Sequence, residues 1–254
     1  MIMEKEFALA LDADKFRATN SAWNELMLND PWSVGYVTTL IELKPFTEKE
    51  EWEAFYYRSG GEREVLIARW DAPTQALLQD ESLIKKNRSY VYSLSGNLRN
   101  LNTQFGRTQE RLYRKGEILQ QHLNNNGVNL TVGECFECVR FRVICETWNG
   151  VIIRERNTIR NLQGRFPQVE FRKVPGEMDH VYAVDYEAYI GGELRYALQV
   201  KPKSYTGNAT YILNARQANS RKNHLYTARF GAPVYDVISD SKGNILNPEV
   251  LKNL

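Results

Sequence analysis

Apolar side chains recur every three or four positions through much of this chain, a spacing that predicts helices. Residues 104–123 carry an apolar stripe at Leu112, Ile118, Leu119 and Leu123, and the Asn-Asn-Asn-Gly run at 124–127 supplies a stop. Thr131 followed by Glu134 makes a capping box that opens a helix over 132–147, with Val132, Phe136 and Val139 on one face. A helix over 151–162 carries Ile152, Glu155, Ile159 and Leu162, and Gly164 and Pro167 close it. Residues 46–58 read as a helix with Thr47 as cap, Glu50 completing a capping box, and Trp52 and Phe55 inward; another over 66–78 is interrupted near Pro73. Residues 85–101 are polar and irregular and read as loop. The long polar helix over 209–229 holds Ile212, Leu213, Leu225 and Tyr226. Strand patterns appear only late: residues 169–174 alternate, 182–203 read as two strands around Gly191-Gly192, and 233–238 (PVYDVI) is a short β-rich run. The order from 151 is therefore helix, strand, strand, strand, helix, strand. It predicts an α/β (α+β) core over 131–254, with 1–130 a mostly helical embellishment that is not an independent domain.

The hairpin at 182–203 has one chemically loaded face on each strand, because side chains alternate. Arg195, Ala197, Gln199 and Lys201 share a face, as do Asp185 and Glu187. A two-residue Gly191-Gly192 turn would place Asp185 opposite Leu198, which splits the polar set. A three-residue loop that includes Glu193, or a bulge at 191–193, places Asp185 opposite Gln199 and gathers Asp185, Glu187, Gln199 and Lys201 on one face. A slip of one residue inverts every face, so burial selects the second register.

The 254 residues are 43% hydrophobic and 25% charged, ordinary for a globular protein with a sizeable core. No apolar run approaches the roughly 18 residues of a membrane span. The N-terminal MIMEKEFALALDADKF carries acids early, unlike a signal peptide, so the expected compartment is the cytoplasm. Cys135, Cys138 and Cys145 are odd in number and lie in a helical pattern, which reads as buried thiols rather than disulfides or a zinc site. Net charge is only +2, but its distribution is uneven. Residues 85–115 hold eight basic residues against one acid, Glu110, and residues 195–229 hold seven and no acid. Asn, Gln, Ser and Thr crowd the same segments. Together they form an electrostatic footprint suited to a polyanion, although solvated basic faces would look the same.

The element order, with an acid on the second strand and Gln-x-Lys on the third, resembles the PD-(D/E)xK nuclease fold. More narrowly, residues 182–202 together with 147–156 (TWNGVIIRER) are similar to the MjaI-type restriction endonucleases. The resemblance implies a restriction-endonuclease-like αβββαβ core and a type II enzyme. Such an enzyme hydrolyses double-stranded DNA with Mg²⁺ at a short palindromic site, CTAG being one candidate. By the same resemblance Asp185 matches the central metal-binding acid and Lys201 the lysine. Gln199 stands where a glutamate is usual, Glu155 matches the additional acid of the preceding helix, and the carbonyl of Val200 is a further metal ligand. Glu187 is a possible outer-shell base. Hard oxygen ligands suit Mg²⁺, and a lysine beside them stabilises charge on the phosphate. The same Asp185 and Lys201 would also read as a simple cross-strand ion pair, worth under about 1 kcal/mol if exposed.

DNA contacts are expected from Lys85, Lys86, Arg88, Arg99, Arg107, Arg111 and Arg114 in the first basic segment. In the second they are expected from Lys203, Arg216, Asn219, Arg221, Lys222, Asn223 and His224. The resemblance further implies a homodimer, whose two-fold axis would match a palindrome. It also implies a cognate DNA methyltransferase in the same system, though not as a stable partner. A repair or recombination nuclease of the same fold, or a DNA-binding protein that Gln199 has made unable to cleave, remains an alternative.

Overall fold

The computed structural model describes residues 6–28, 33–79, 83–84, 86–208 and 210–254; Lys85 lies outside them. Two compact units divide the chain, Met1–Trp148 and Asn149–Leu254. The boundary expected at 130/131 falls inside the first unit.

Every regular element described in the first unit is helical. They are α1 (Ala13–Ala18), α2 (Asn20–Glu25), α3 (Ser33–Ile41), α4 (Lys49–Ile67), α5 (Ala72–Gln79), α6 (Arg88–Ser93), α7 (Ser95–Gln104), α8 (Gln109–Asn125) and α9 (Val132–Arg140). The backbone continues past α9 as π-helical turns over Phe141–Cys145. The Thr131–Glu134 capping box is present and opens α9, which packs along α8 with the Tyr113 and Phe136 rings 5.6 Å apart. That packing is why residues 131–148 belong with the N-terminal helices. The cap expected at Thr47 is shifted: Glu51, not Glu50, reaches back to the Thr47 amide and hydroxyl (3.3 Å each), and α4 starts at Lys49. Trp52 and Tyr56 of α4 are fully buried, and the Trp52 indole donates to the Ile144 carbonyl (3.0 Å). At Gly60 the same helix touches the 106–108 backbone so closely that a Cβ would lie 2.2 Å from the Arg107 carbonyl carbon, which leaves room only for glycine.

The segment 85–101, expected as loop, contains α6 and most of α7. Val91, Leu94, Leu98 and Leu101 are spaced three and four apart and pack with Ile67, Leu77, Leu78 and Ile84. The intervening Asn, Ser and Arg residues dilute a helical stripe that tertiary burial completes. The three cysteines are free, buried thiols, and burial pushes Cys135 and Cys145 up to about 12.

The second unit begins with π-helical turns ending at Glu155 (Trp148–Glu155), followed by α10 (Arg156–Arg165), β1 (Val169–Lys173), α11 (Gly176–Tyr182), β2 (Tyr186–Ile190), β3 (Glu193–Pro202), α12 (Thr210–Phe230) and β4 (Val234–Ser239). The expected strand at 182–184 is absent. Tyr182 ends α11, and Ala183 takes the left-handed conformation (φ 53°) that turns the chain into β2. The sheet is mixed, in order β1-β2-β3-β4, with antiparallel pairs at β1/β2 and β2/β3 and a parallel pair at β3/β4. A parallel neighbour requires a crossover, which α12 supplies.

The hairpin solves its register differently from either expectation. Ile190 pairs with Glu193, so the turn is the two-residue Gly191-Gly192, both at positive φ (60° and 84°). The ladder then shifts between Ala188 and Tyr189, leaving Arg195 as the extra residue of a β-bulge. Beyond the bulge Ala188 pairs with Tyr196 and Tyr186 with Leu198, the register that the expected three-residue loop would have produced.

Both sheet faces are covered. Leu162 of α10 packs with Tyr186, Ala188, Tyr196, Leu198 and Val237 on one face, and Tyr226 of α12 packs with Val184, Ala197 and Ala232 on the other. The polar face of the hairpin thus lies beneath α12, and β3 is buried continuously from Tyr196 to Val200.

Candidate active site

Asp185 sits where the chain leaves the Ala183 turn and joins the sheet. Its amide donates to the Leu198 carbonyl (2.8 Å), and its carboxylate Oδ2 accepts from the Val200 amide (2.6 Å). The acid is only 6% exposed and lies against the peptide that links Gln199 to Val200. Gln199 is 1% exposed, and its Oε1 accepts no hydrogen bond among the described residues. Lys201, two residues on, is half-buried, with its ammonium 5.6 Å from the centre of the Tyr205 ring.

Glu155 stands at the junction between the π-helical turns and α10, and irregular turns of this kind often mark functional positions. Its carboxylate, 12% exposed, is paired with Lys173 of β1. Burial pushes the carboxyl well above the usual range, and the negative charge of Asp185 adds to the shift while Lys173 opposes it. The Glu155 carboxyl therefore feels the negative charge of Asp185. Among the described residues no three of His, Cys, Asp and Glu form a metal-holding group. The oxygen donors assembled here are two carboxylates and the Gln199 amide.

Glu187 has another role. Its two oxygens accept from the Tyr226 hydroxyl (2.6 Å) and the Tyr189 hydroxyl (2.7 Å), so it ties β2 to α12 instead of serving the site as a base.

Several expected DNA contacts are engaged within the protein. Arg107 is 2% exposed and donates to Asn102 (2.8 Å), and Arg111, 14% exposed, pairs with Glu64. Both guanidinium groups are paired inside the helical unit, as burial favours. In the second unit Lys222 donates to the His180 carbonyl (2.6 Å), and burial lowers its pKa. Asn219 donates to the Tyr205 hydroxyl (3.1 Å). The Asn223 amide, with its nitrogen turned inward, donates to the Tyr182 and Ala183 carbonyls (2.9 and 3.0 Å). These three side chains fasten α12 to its neighbours. Arg216 holds the Gly207 carbonyl, and the exposed His224 meets the Ser220 carbonyl through Nδ1 (2.7 Å). Lys86, Arg88, Lys203 and Arg221 are exposed, Arg99 is half-buried, and Arg114 is exposed beside Glu117 (2.8 Å).

Two nearby residues were not anticipated. Lys173 comes from the strand next to β2, and its proximity to Glu155 depends on packing alone. Asp236 of β4 is the cross-strand partner of Gln199. It is the one charged residue in the run PVYDVI, a signal visible in the sequence. It borders a cleft of about 480 Å³ lined by Tyr205, Arg216, Ser220, Asn223 and His224 among others.

Asp185, Gln199 and Lys201 thus lie at one end of a mixed sheet. The family model described as MjaI restriction endonuclease matches residues 17–229. The chain belongs to the MjaI restriction endonuclease family, which makes it a site-specific deoxyribonuclease, a hydrolase whose substrate is DNA. A search of the curated proteins and one of the solved structures each found no match. Among the described residues no helix is long and apolar enough to cross a membrane.

Proposed function

We propose that this protein is a type II enzyme of PD-(D/E)xK architecture that uses Mg²⁺ to cleave double-stranded DNA at a short palindrome, with CTAG as the first site to test. One observation carries the reading: the Asp185 carboxylate rests on the Gln199–Val200 peptide at 2.6 Å, and Lys201 follows in the same strand. The donor set fits a hard divalent cation. Asp185 and Glu155 offer charged oxygens, and Gln199 Oε1 is a buried acceptor that no donor among the described residues satisfies. Asp185, Glu155 and Gln199, with the Val200 carbonyl, would hold the ion. When bound, Mg²⁺ polarises a phosphoryl oxygen and makes water more acidic.

The protein's own groups do the rest. The Lys201 ammonium orients the attacking water and stabilises the charge that builds on the phosphate oxygens. The Val200 amide fixes the Asp185 carboxylate in one orientation, which limits reorganisation during the reaction. Lys203, Arg221 and His224, exposed on the same unit, supply phosphate contacts, with Arg216 beside them. Lys86, Arg88, Arg99 and Arg114 are proposed as contacts from the helical unit. A homodimer would place one site on each strand of a palindrome, and a methyltransferase of the same specificity would protect the host's own DNA.

The test is digestion of unmethylated phage DNA with Mg²⁺. Sharp bands are expected, lost with EDTA and lost in Lys201→Ala and Asp185→Ala. Bands that survive both substitutions refute the site; a smear refutes site-specific cutting.

A further inference from the structure

β3 carries a neutral amide at Gln199, where a second carboxylate would be expected beside Asp185. The adjacent strand holds one. Gln199 and Asp236 are paired residues of the parallel β3/β4 ladder, and residues paired in this way project to the same face. That face is the one beneath α12, since Asp236 lines the same cleft as Arg216, Ser220, Asn223 and His224. Asp236 Oδ1 is buried and, like Gln199 Oε1, accepts no hydrogen bond among the described residues. Two neighbouring buried acceptors without donors are costly unless something electropositive binds them. Asp185 lies on the other side of Gln199, fixed to the Val200 amide. Gln199 therefore stands between two carboxylates, one just before β2 and one on β4.

We infer that Asp236 supplies, from β4, the carboxylate that β3 lacks at Gln199, and that Asp185, Gln199 Oε1 and Asp236 together hold a divalent cation beside Lys201. The inference rests on the metal-dependent reading of the site and adds a ligand to it. The electrostatic surroundings agree. Burial raises the Asp236 carboxyl, Lys201 and Arg216 lower it, and the nearby charge of Asp185 raises it further. Asp236 thus senses both of the charged groups that define the site. The carboxylate has moved from one strand to its hydrogen-bonded neighbour, which preserves a charged oxygen at the same end of the sheet.

The experiment is calorimetric titration of the full-length protein with Mn²⁺ alone, and separately with Ca²⁺ alone, in the absence of DNA. Asp236→Asn is expected to weaken binding at least tenfold while the far-ultraviolet spectrum stays that of the wild type. Adding Gln199→Glu to Asp236→Asn moves the carboxylate back to β3 and is expected to restore affinity to within a few-fold. Asp236→Ser is the second variant, and carries the same expectation if Asp236→Asn fails to fold. Wild-type affinity in a folded Asp236 variant overturns the inference and leaves Asp185 and Glu155 as the ligands. A wild-type protein that binds neither ion overturns the metal-dependent reading itself, and this inference with it.

Discussion

Asp185 and Glu187 show how two carboxylates take different roles two positions apart. Asp185 is held by a backbone amide at the end of the sheet, whereas Glu187 accepts two tyrosine hydroxyls, one of them from the fully buried Tyr226. The Glu187 charge also pushes up the Tyr226 phenol, second to burial, so this hydroxyl stays a donor across the whole working pH range. Tyr226→Phe removes a hydrogen bond to a charged acceptor and is expected to cost about 1.5–3 kcal/mol, read from urea unfolding. Glu187→Gln should lower stability as well, yet leave DNA cutting within a few-fold of the wild type. A loss of cutting comparable with that of Asp185→Ala would return Glu187 to the active site.

Among the elements, the capped helix α9 offers a clear titration. Glu134 accepts from the Thr131 amide (2.8 Å) and hydroxyl (3.0 Å) and pairs with Lys15. The hydrogen bond from Lys15, then those from Thr131, hold its carboxyl down at about 2. A carboxyl whose folded pKa lies below its unfolded value stabilises the fold at pH above the unfolded value. That stabilisation fades as pH falls toward the folded value. Glu134→Gln should therefore flatten the acid side of the stability profile between the ordinary glutamate pKa, about 4.3, and about 2, and leave its shape near neutrality unchanged. Thermal melts across that range decide it, and an unchanged acid limb would mean that the pair contributes nothing in solution. The hairpin is governed by shape instead. Two glycines at positive φ permit the tight turn, and the bulge at Arg195 then restores the register that brings Asp185 to Gln199.

For the whole molecule, a net charge of +2 hides the uneven distribution that matters for DNA. Burial reduces the usable part of the first basic segment: Lys115, 1% exposed, donates to the Leu28 carbonyl, and Arg107, 2% exposed, donates to Asn102. In the second segment the exposed charges Lys203 and Arg221 remain available. Each should neutralise one phosphate, so Lys203→Ala and Arg221→Ala are each expected to reduce the slope of log affinity against log salt by about one. Anisotropy titrations of a duplex in Ca²⁺ read that slope, and wild-type slopes in both variants would remove this surface from the DNA interface.

Residue periodicity and capping chemistry alone determined α8, α9, α10, α12, β1 and the position of the hairpin, because those signals are local and act within a few neighbouring residues. The spacing from Asp185 to Gln-x-Lys was likewise legible, since the acid immediately precedes β2 and the lysine lies on β3 of the same hairpin. Four outcomes belonged to the tertiary structure. The stripe from Val91 to Leu101 became helix only through packing against α4 and α5, and the helical unit drew in Arg107 and Lys115 as buried partners. The bulge fell at Arg195 because both sheet faces had to be filled at once. Asp236 came to lie beside Gln199 only because α12 carries the chain across the sheet and sets β4 parallel to β3. Contacts between residues so far apart in the chain depend on which surfaces bury one another, and no local pattern records that choice.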